Sequence, residues 1–91
     1  MINNVTLIGR LTATPELRRT TTGKTVVSFC IAVERRFDRA TSDFINIVAW
    51  NKTAEFVGKY FTKGDLIALT GSIQTRKYED KDGHKRTAFE V

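Results

Sequence analysis

The chain has 91 residues, 41% of them apolar, and a formal net charge of +5 from 15 lysines and arginines against 10 aspartates and glutamates. That length holds one small domain over 1–91 with a single core and excludes two, while the charge favours a polyanionic partner. The lone cysteine, Cys30, excludes an internal disulfide and points to a reducing compartment.

Residues 4–11 alternate, with Val5, Leu7, Gly9 and Leu11 on one face and Thr6, Ile8 and Arg10 on the other. Period two predicts a first strand, and Gly9 inside it predicts a bend or bulge. Pro15, the only proline, predicts a loop or irregular edge over 12–17. Thr20-Thr21-Thr22-Gly23 reads as a turn. Residues 24–36 form the longest predicted strand. Val27, Phe29, Ile31 and Val33 make an apolar face, and Val26, Ser28, Cys30, Ala32 and Glu34 a smaller mixed one. Cys30, within this apolar run, reads as packing rather than as a nucleophile. Phe37 then sits among Arg35, Arg36 and Arg39, and residues 40–42 predict a short loop.

Residues 43–50 alternate again. Ile45, Ile47 and Ala49 share one face; Phe44, Asn46, Val48 and Trp50 share the other. Aromatic rings off the core face of a strand, in a basic chain, suit the stacking of flat ligands such as bases. The alternative is a strand buried on both faces, with Phe44 and Trp50 as core. Over 51–61 the period changes to that of a helix, with Ala54, Phe56, Val57, Tyr60 and Phe61 on one face. Asn51 is expected to cap its start and Lys63-Gly64 to close its end. The bulky aromatics are expected to plug the end of a sheet. Residues 65–75 predict a strand with a bend at Gly71. Asp82-Gly83 predicts a hairpin turn joining 76–80 to 85–89. That hairpin presents Arg76, Lys77, Tyr78, Lys81, Lys85 and Arg86. His84 has no second His or Cys nearby to share a metal, so it reads as a solvated turn residue.

The expected architecture is therefore all-β. Five strands, one helix between the third and fourth, and a long hairpin between the fourth and fifth make the layout of an OB-fold barrel. That fold binds oligonucleotides or oligosaccharides across its second and third strands, where this chain carries Phe37, Phe44 and Trp50. No GxxxxGK[ST], GxGxxG or GxSxG motif occurs. The carboxylates are scattered, and the single histidine and cysteine lie far apart, so neither catalysis nor a cofactor is expected.

Several segments resemble the bacterial single-stranded DNA-binding (SSB) protein family, in order and with matching spacing over nearly the whole chain. They are the opening Met-Ile-Asn-Asn-Val-Thr-Leu-Ile-Gly-Arg-Leu, Pro-Glu-Leu-Arg at 15–18, Phe-Ile-Asn-Ile-Val-Ala-Trp at 44–50, Ala54-Glu55, Lys63-Gly64-Asp65, and the run from Gly71 to Gly83. The resemblance implies an OB fold that assembles as a homotetramer and wraps single-stranded DNA without strong sequence preference. It implies roles in DNA replication, recombination and repair, in the cytoplasm at the bacterial nucleoid. The family's four base-stacking positions fall on Phe37, Phe44, Trp50 and Tyr78. Its basic positions around the groove fall on Arg18, Lys52, Lys63, Arg76, Lys77 and Arg86, and Arg35 and Arg36 beside Phe37 complete the expected phosphate-binding set. The family's first strand, here 4–11, also takes part in subunit pairing.

Members of that family continue past the hairpin, finishing the last strand and then running into a tail whose acidic tip recruits replication and repair proteins. Such a tail is absent from these 91 residues, so recruitment is not assigned to them. Barrel closure is expected to need a neighbouring subunit or further residues. The start has no basic segment followed by an apolar run, and no stretch approaches the ~20 apolar residues that span a bilayer. A partner-binding barrel without DNA affinity, or one that binds RNA or oligosaccharide, would share this layout.

Overall fold

A β-hairpin with a two-residue turn, Arg36-Phe37, forms the centre of the molecule. The computed structural model describes residues 1–79, 83 and 85–90, with the side chains of 76, 78, 79 and 85–90 outside the described set. In chain order the elements are β1 (Val5–Leu11), β2 (Glu16–Arg19), β3 (Thr25–Arg35), β4 (Asp38–Trp50), α1 (Asn51–Tyr60), β5 (Leu66–Gly71), β6 (Gln74–Glu79) and β7 (Lys85–Glu90). Strands β3 and β4 pair from Val26↔Trp50 to Val33↔Asp43 without interruption, then shift register between Glu34 and Arg35. β4 therefore starts earlier than expected and absorbs residues 40–42: Ser42 pairs with Glu34, and residues 39–41 bulge out of the ladder before Asp38 pairs with Arg35.

The sheet runs β5-β1-β3-β4-β7-β6, with β2 beside β3. All described pairings are antiparallel except β4 with β7. This strand and helix order is that of an OB fold, but the hydrogen-bonded ladder does not close. Its two ends, β5 and β6, are successive pieces of chain separated only by Ser72 and Ile73. The ring is completed by connectivity at the corner where Gly71 ends β5, as the expected bend foreshadowed.

Seven strands replace the expected five for two reasons. The fourth expected strand divides at that corner. Pro15 ends no pairing beyond itself: proline removes one donor, and from Glu16 onward the backbone pairs with β3, Glu16↔Ser28 to Arg19↔Thr25. Gly9 also differs from expectation, since β1 passes through it unbroken. A Cβ there would lie 2.7 Å from the Ala32 carbonyl oxygen, so glycine is required by the close approach of β1 to β3.

The core is the inner face of the hairpin, Val27, Phe29, Ile31 and Ile47, closed by Leu11, Ile67 and the helix residues Ala54 and Val57. Helix α1 packs on β3, β4 and β2, where Leu17 of β2 comes within 3.4 Å of the place a Gly58 Cβ would take. The helix departs from expectation at both ends and on its aromatic face. Asn51 is not the cap. Extended Trp50 occupies that place without a side-chain cap bond, and Asn51 is the first helical residue, at φ 56°. The chain must turn sharply out of β4, and asparagine tolerates this left-handed conformation. Nor do the aromatics plug the sheet: Phe56 and Tyr60 are exposed, and only Phe61 packs partly on the core. Lys63-Gly64 does not close the helix either: extended Phe61 is its C-cap, its N–H donating to the Val57 carbonyl, while Gly64, at φ +89°, lies in the following loop with its N–H on the Leu11 carbonyl of β1.

The β6–β7 hairpin pairs from Gln74↔Glu90 to Glu79↔Lys85. Gly83 has φ +78°, the left-handed backbone its turn was expected to need. Lys81, Asp82 and His84 lie outside the described residues. Among the described residues no helix is long and apolar enough to cross a membrane.

Candidate nucleic-acid interface

Alternation along β4 sends Ile45, Ile47 and Ala49 inward and leaves Phe44, Asn46, Val48 and Trp50 on the outer face. Phe44 is 70% exposed and Trp50 48%. The core alternative for these two rings is therefore not the observed arrangement. Phe37, in the hairpin turn, is 91% exposed, with the Arg36 guanidinium 5.2 Å from its ring centroid. The face that is buried is the one carrying Val27, Phe29, Ile31 and Ile47.

Trp50 stands in an open groove of about 770 Å³ whose walls include Arg18, Arg19, Val26, Ser28, Val48, Gln74 and Thr75. Arg18 enters through register: it pairs with Val26, which pairs with Trp50, and its Nη2 donates to the Ser28 hydroxyl at 3.1 Å. Such a wall of one indole ring, short polar side chains and two guanidinium groups can stack a base and hold a phosphate.

The other expected residues divide by location. Lys52 lies exposed in the first turn of α1, just after Trp50. Lys63 lies exposed in the loop after α1, its backbone N–H donating to Thr14 Oγ1 at 3.1 Å. Lys77 is exposed on β6. Arg36 accompanies Phe37. Arg35 is not brought to this face: its guanidinium holds Asp43 in a two-pronged ion pair at 3.1–3.4 Å. Asp43 belongs to the inward-facing set of β4, opposite Phe44. The hydrogen bonds and charge of Asp43 raise the Arg35 pKa further above its usual value. Tyr78, Arg76 and Arg86 occupy β6 and β7, with Tyr78 opposite Arg86 in register, and their side chains lie outside the described set.

Sequence reasoning missed Arg10 and Arg19. Arg10 was legible as an outward residue of β1, but its neighbours across the sheet are set by register, which no local pattern announces. Its Nη1 donates to the Gly64 carbonyl at 3.2 Å.

The single-strand binding protein family model matches residues 2–91. A single-stranded DNA-binding protein 1 from Lactococcus lactis is 50% identical over 95 residues, covering 100% of this chain and 63% of its own length. A single-stranded DNA-binding protein from Clostridium tetani is 50% identical over 94 residues, with 99% and 65% covered. A Staphylococcus aureus single-stranded DNA-binding protein 1 is 47% identical over 95 residues, with 100% and 61% covered. The chain thus spans a little over three-fifths of the length of these relatives. Matched from its second residue to its last, the chain belongs to the single-strand binding protein family.

Proposed function

We propose that this domain binds single-stranded DNA without sequence preference, protecting strands exposed during replication, recombination and repair at the bacterial nucleoid. The observation that carries this reading is the pair of rings, Phe44 and Trp50, left bare on the outer face of β4 beside cations in a single-strand binding family member. Every base has a π-face, so stacking on Phe37, Phe44, Trp50 and Tyr78 tolerates any sequence. A duplex hides those faces in its own stack, which selects for single strands. Phosphates are held by cations from the set Arg18, Arg36, Lys52, Lys63, Arg76, Lys77 and Arg86. Arg35, tied to Asp43 on the opposite face, contributes long-range charge only.

The protein works as a homotetramer, and recruitment of replication and repair proteins belongs to a C-terminal tail beyond these residues. The family is one of binding proteins, and the domain's work is binding without catalysis.

The test is a titration of labelled oligo(dT) at several salt concentrations, with mass measured in parallel and with duplex DNA, RNA and glycans as competitors. Expected are a tetramer mass, quenching of Trp50 fluorescence, poor competition by duplex, and affinity falling with salt at a log-log slope of about −0.7 per phosphate neutralised. Equal affinity for duplex, or unaltered Trp50 fluorescence at saturation, overturns the stacking mechanism.

A further inference from the structure

The two exposed rings of β4 stand in cross-strand rows of the same composition. Residues directly paired on neighbouring antiparallel strands project from the same face. At one end, Arg18 pairs with Val26 and Val26 with Trp50, aligning β2, β3 and β4. At the other, Arg10 pairs with Ala32 and Ala32 with Phe44, aligning β1, β3 and β4. In each row an arginine and a ring flank one small apolar residue of β3. The chain makes this pattern twice by pairing β1 and then β2 with the same edge of β3.

The geometry of each row suits one nucleotide. Strand spacing sets the Cα atoms of arginine and ring about 10 Å apart on one face of the sheet, with the β3 residue between them; the Arg10 guanidinium itself rests on the β5 side of β1. Along β3 and β4 the rows are six residues apart, or ~20 Å at strand rise. Ser28, Cys30, Asn46 and Val48 form the floor between them. Arg10 gives one donor to the Gly64 carbonyl and, among the described residues, pairs with no carboxylate. A guanidinium has five N–H donors, so the charge and most of the donors of Arg10 remain available.

We propose that Arg10 is a phosphate-binding residue, and that this face acts as two separate nucleotide clamps, Arg18 with Trp50 and Arg10 with Phe44. The proposal rests on the single-stranded DNA reading above. It assigns the phosphate beside the base on Phe44 to Arg10, and it makes partners within a row interdependent while the two rows act independently.

Double-mutant cycles on oligo(dT) affinity test this, using Arg10→Ala, Phe44→Ala, Arg18→Ala, Trp50→Ala and their pairs. Within a row, the double variant is expected to lose at least about threefold less than the product of the single losses; across rows the losses should multiply to within about twofold. Arg10→Ala should also lower the salt slope by about 0.7, and Arg10→Lys should restore it. If Arg10→Ala fails to fold, Arg10→Gln keeps a donor for the Gly64 carbonyl without the charge and carries the same measurements.

A folded Arg10 variant with an unchanged slope overturns the proposal, as does coupling of Arg10 to Trp50 as strong as its coupling to Phe44. If the unsubstituted protein binds no oligo(dT), the single-stranded DNA reading fails and the clamps fall with it. Normal binding with an unchanged slope on losing Arg10 removes only the clamps.

Discussion

The two faces of the β3–β4 hairpin are drawn from alternate residues of the same strands, yet one is sealed and the other bare. Val27, Phe29, Ile31 and Ile47 are buried inward, while Phe44 and Trp50 face outward with much of their rings exposed. Two large rings left outside the core in this way are what the proposed stacking of bases needs. The division also separates two measurable quantities: substitutions inward should change stability, and substitutions outward should change binding.

The largest expected effect comes from breaking the inner face. Ile31 is 0% exposed in the middle of the core, so Ile31→Ala should cost about 2–5 kcal/mol of unfolding free energy, read from the shift in denaturant midpoint. Single-strand affinity measured on the folded fraction should not change. Gly9→Ala follows. The added methyl meets the Ala32 carbonyl oxygen at 2.7 Å, and backbone cannot step aside as a side chain can. A cost of about 1–3 kcal/mol is expected, with an unchanged midpoint arguing that β1 can slide away from β3.

The same contrast shows how far the sequence could be read. Period-two alternation identified both faces of β3 and β4 because one face is apolar over residues 27–33 and 45–49, and a strand offers only two sides. The helix was harder. Its buried stripe is Ala54 and Val57, continued by Phe61, spaced by three and four. Phe56 and Tyr60 each precede a stripe residue by one position, about 100° around the axis, so a broad apolar arc looked like one face. The barrel end takes only the narrow stripe. The two rings pack on each other at a tilt instead, centroids 5.0 Å apart and planes 49° from parallel, with the Lys59 ammonium 5.3 Å from the Tyr60 centroid. For the candidate site, the outward rings of β4 and the Arg36 beside Phe37 were legible, whereas the place of Arg10 in the row of Phe44 was not. Arg10 and Phe44 are distant in sequence and meet only through Ala32. The ion pair that removes Arg35 from the face is likewise a product of hairpin register.

On the outer face, Trp50→Ala should weaken oligo(dT) binding by about 1–3 kcal/mol while leaving the denaturant midpoint nearly unchanged. A large loss of stability would instead mean that Trp50 holds β4 to Val26 beneath the groove, and the separation between the faces would blur at that end.

The smallest effect is expected at Asp43, where the two faces meet. Arg35 and Asp43 are both more than half exposed, and exposed pairs contribute little because water screens them. Asp43→Asn should leave the denaturant midpoint within error. The pKa of Arg35 is raised by the hydrogen bonds and charge of Asp43. The sign of that shift means the pair's contribution is present below the unfolded arginine pKa and is lost only as pH rises through the still higher folded value. Stability should thus show no step from this pair across about pH 6 to 9. Binding should move instead. With its partner neutralised, the Arg35 cation adds to the field around the hairpin, and single-strand affinity should rise slightly at low salt and return to the parent value at high salt. A rise that persists at high salt would mean that the freed guanidinium reaches a phosphate directly, and that the bulge after Glu34 lets it cross to the outer face.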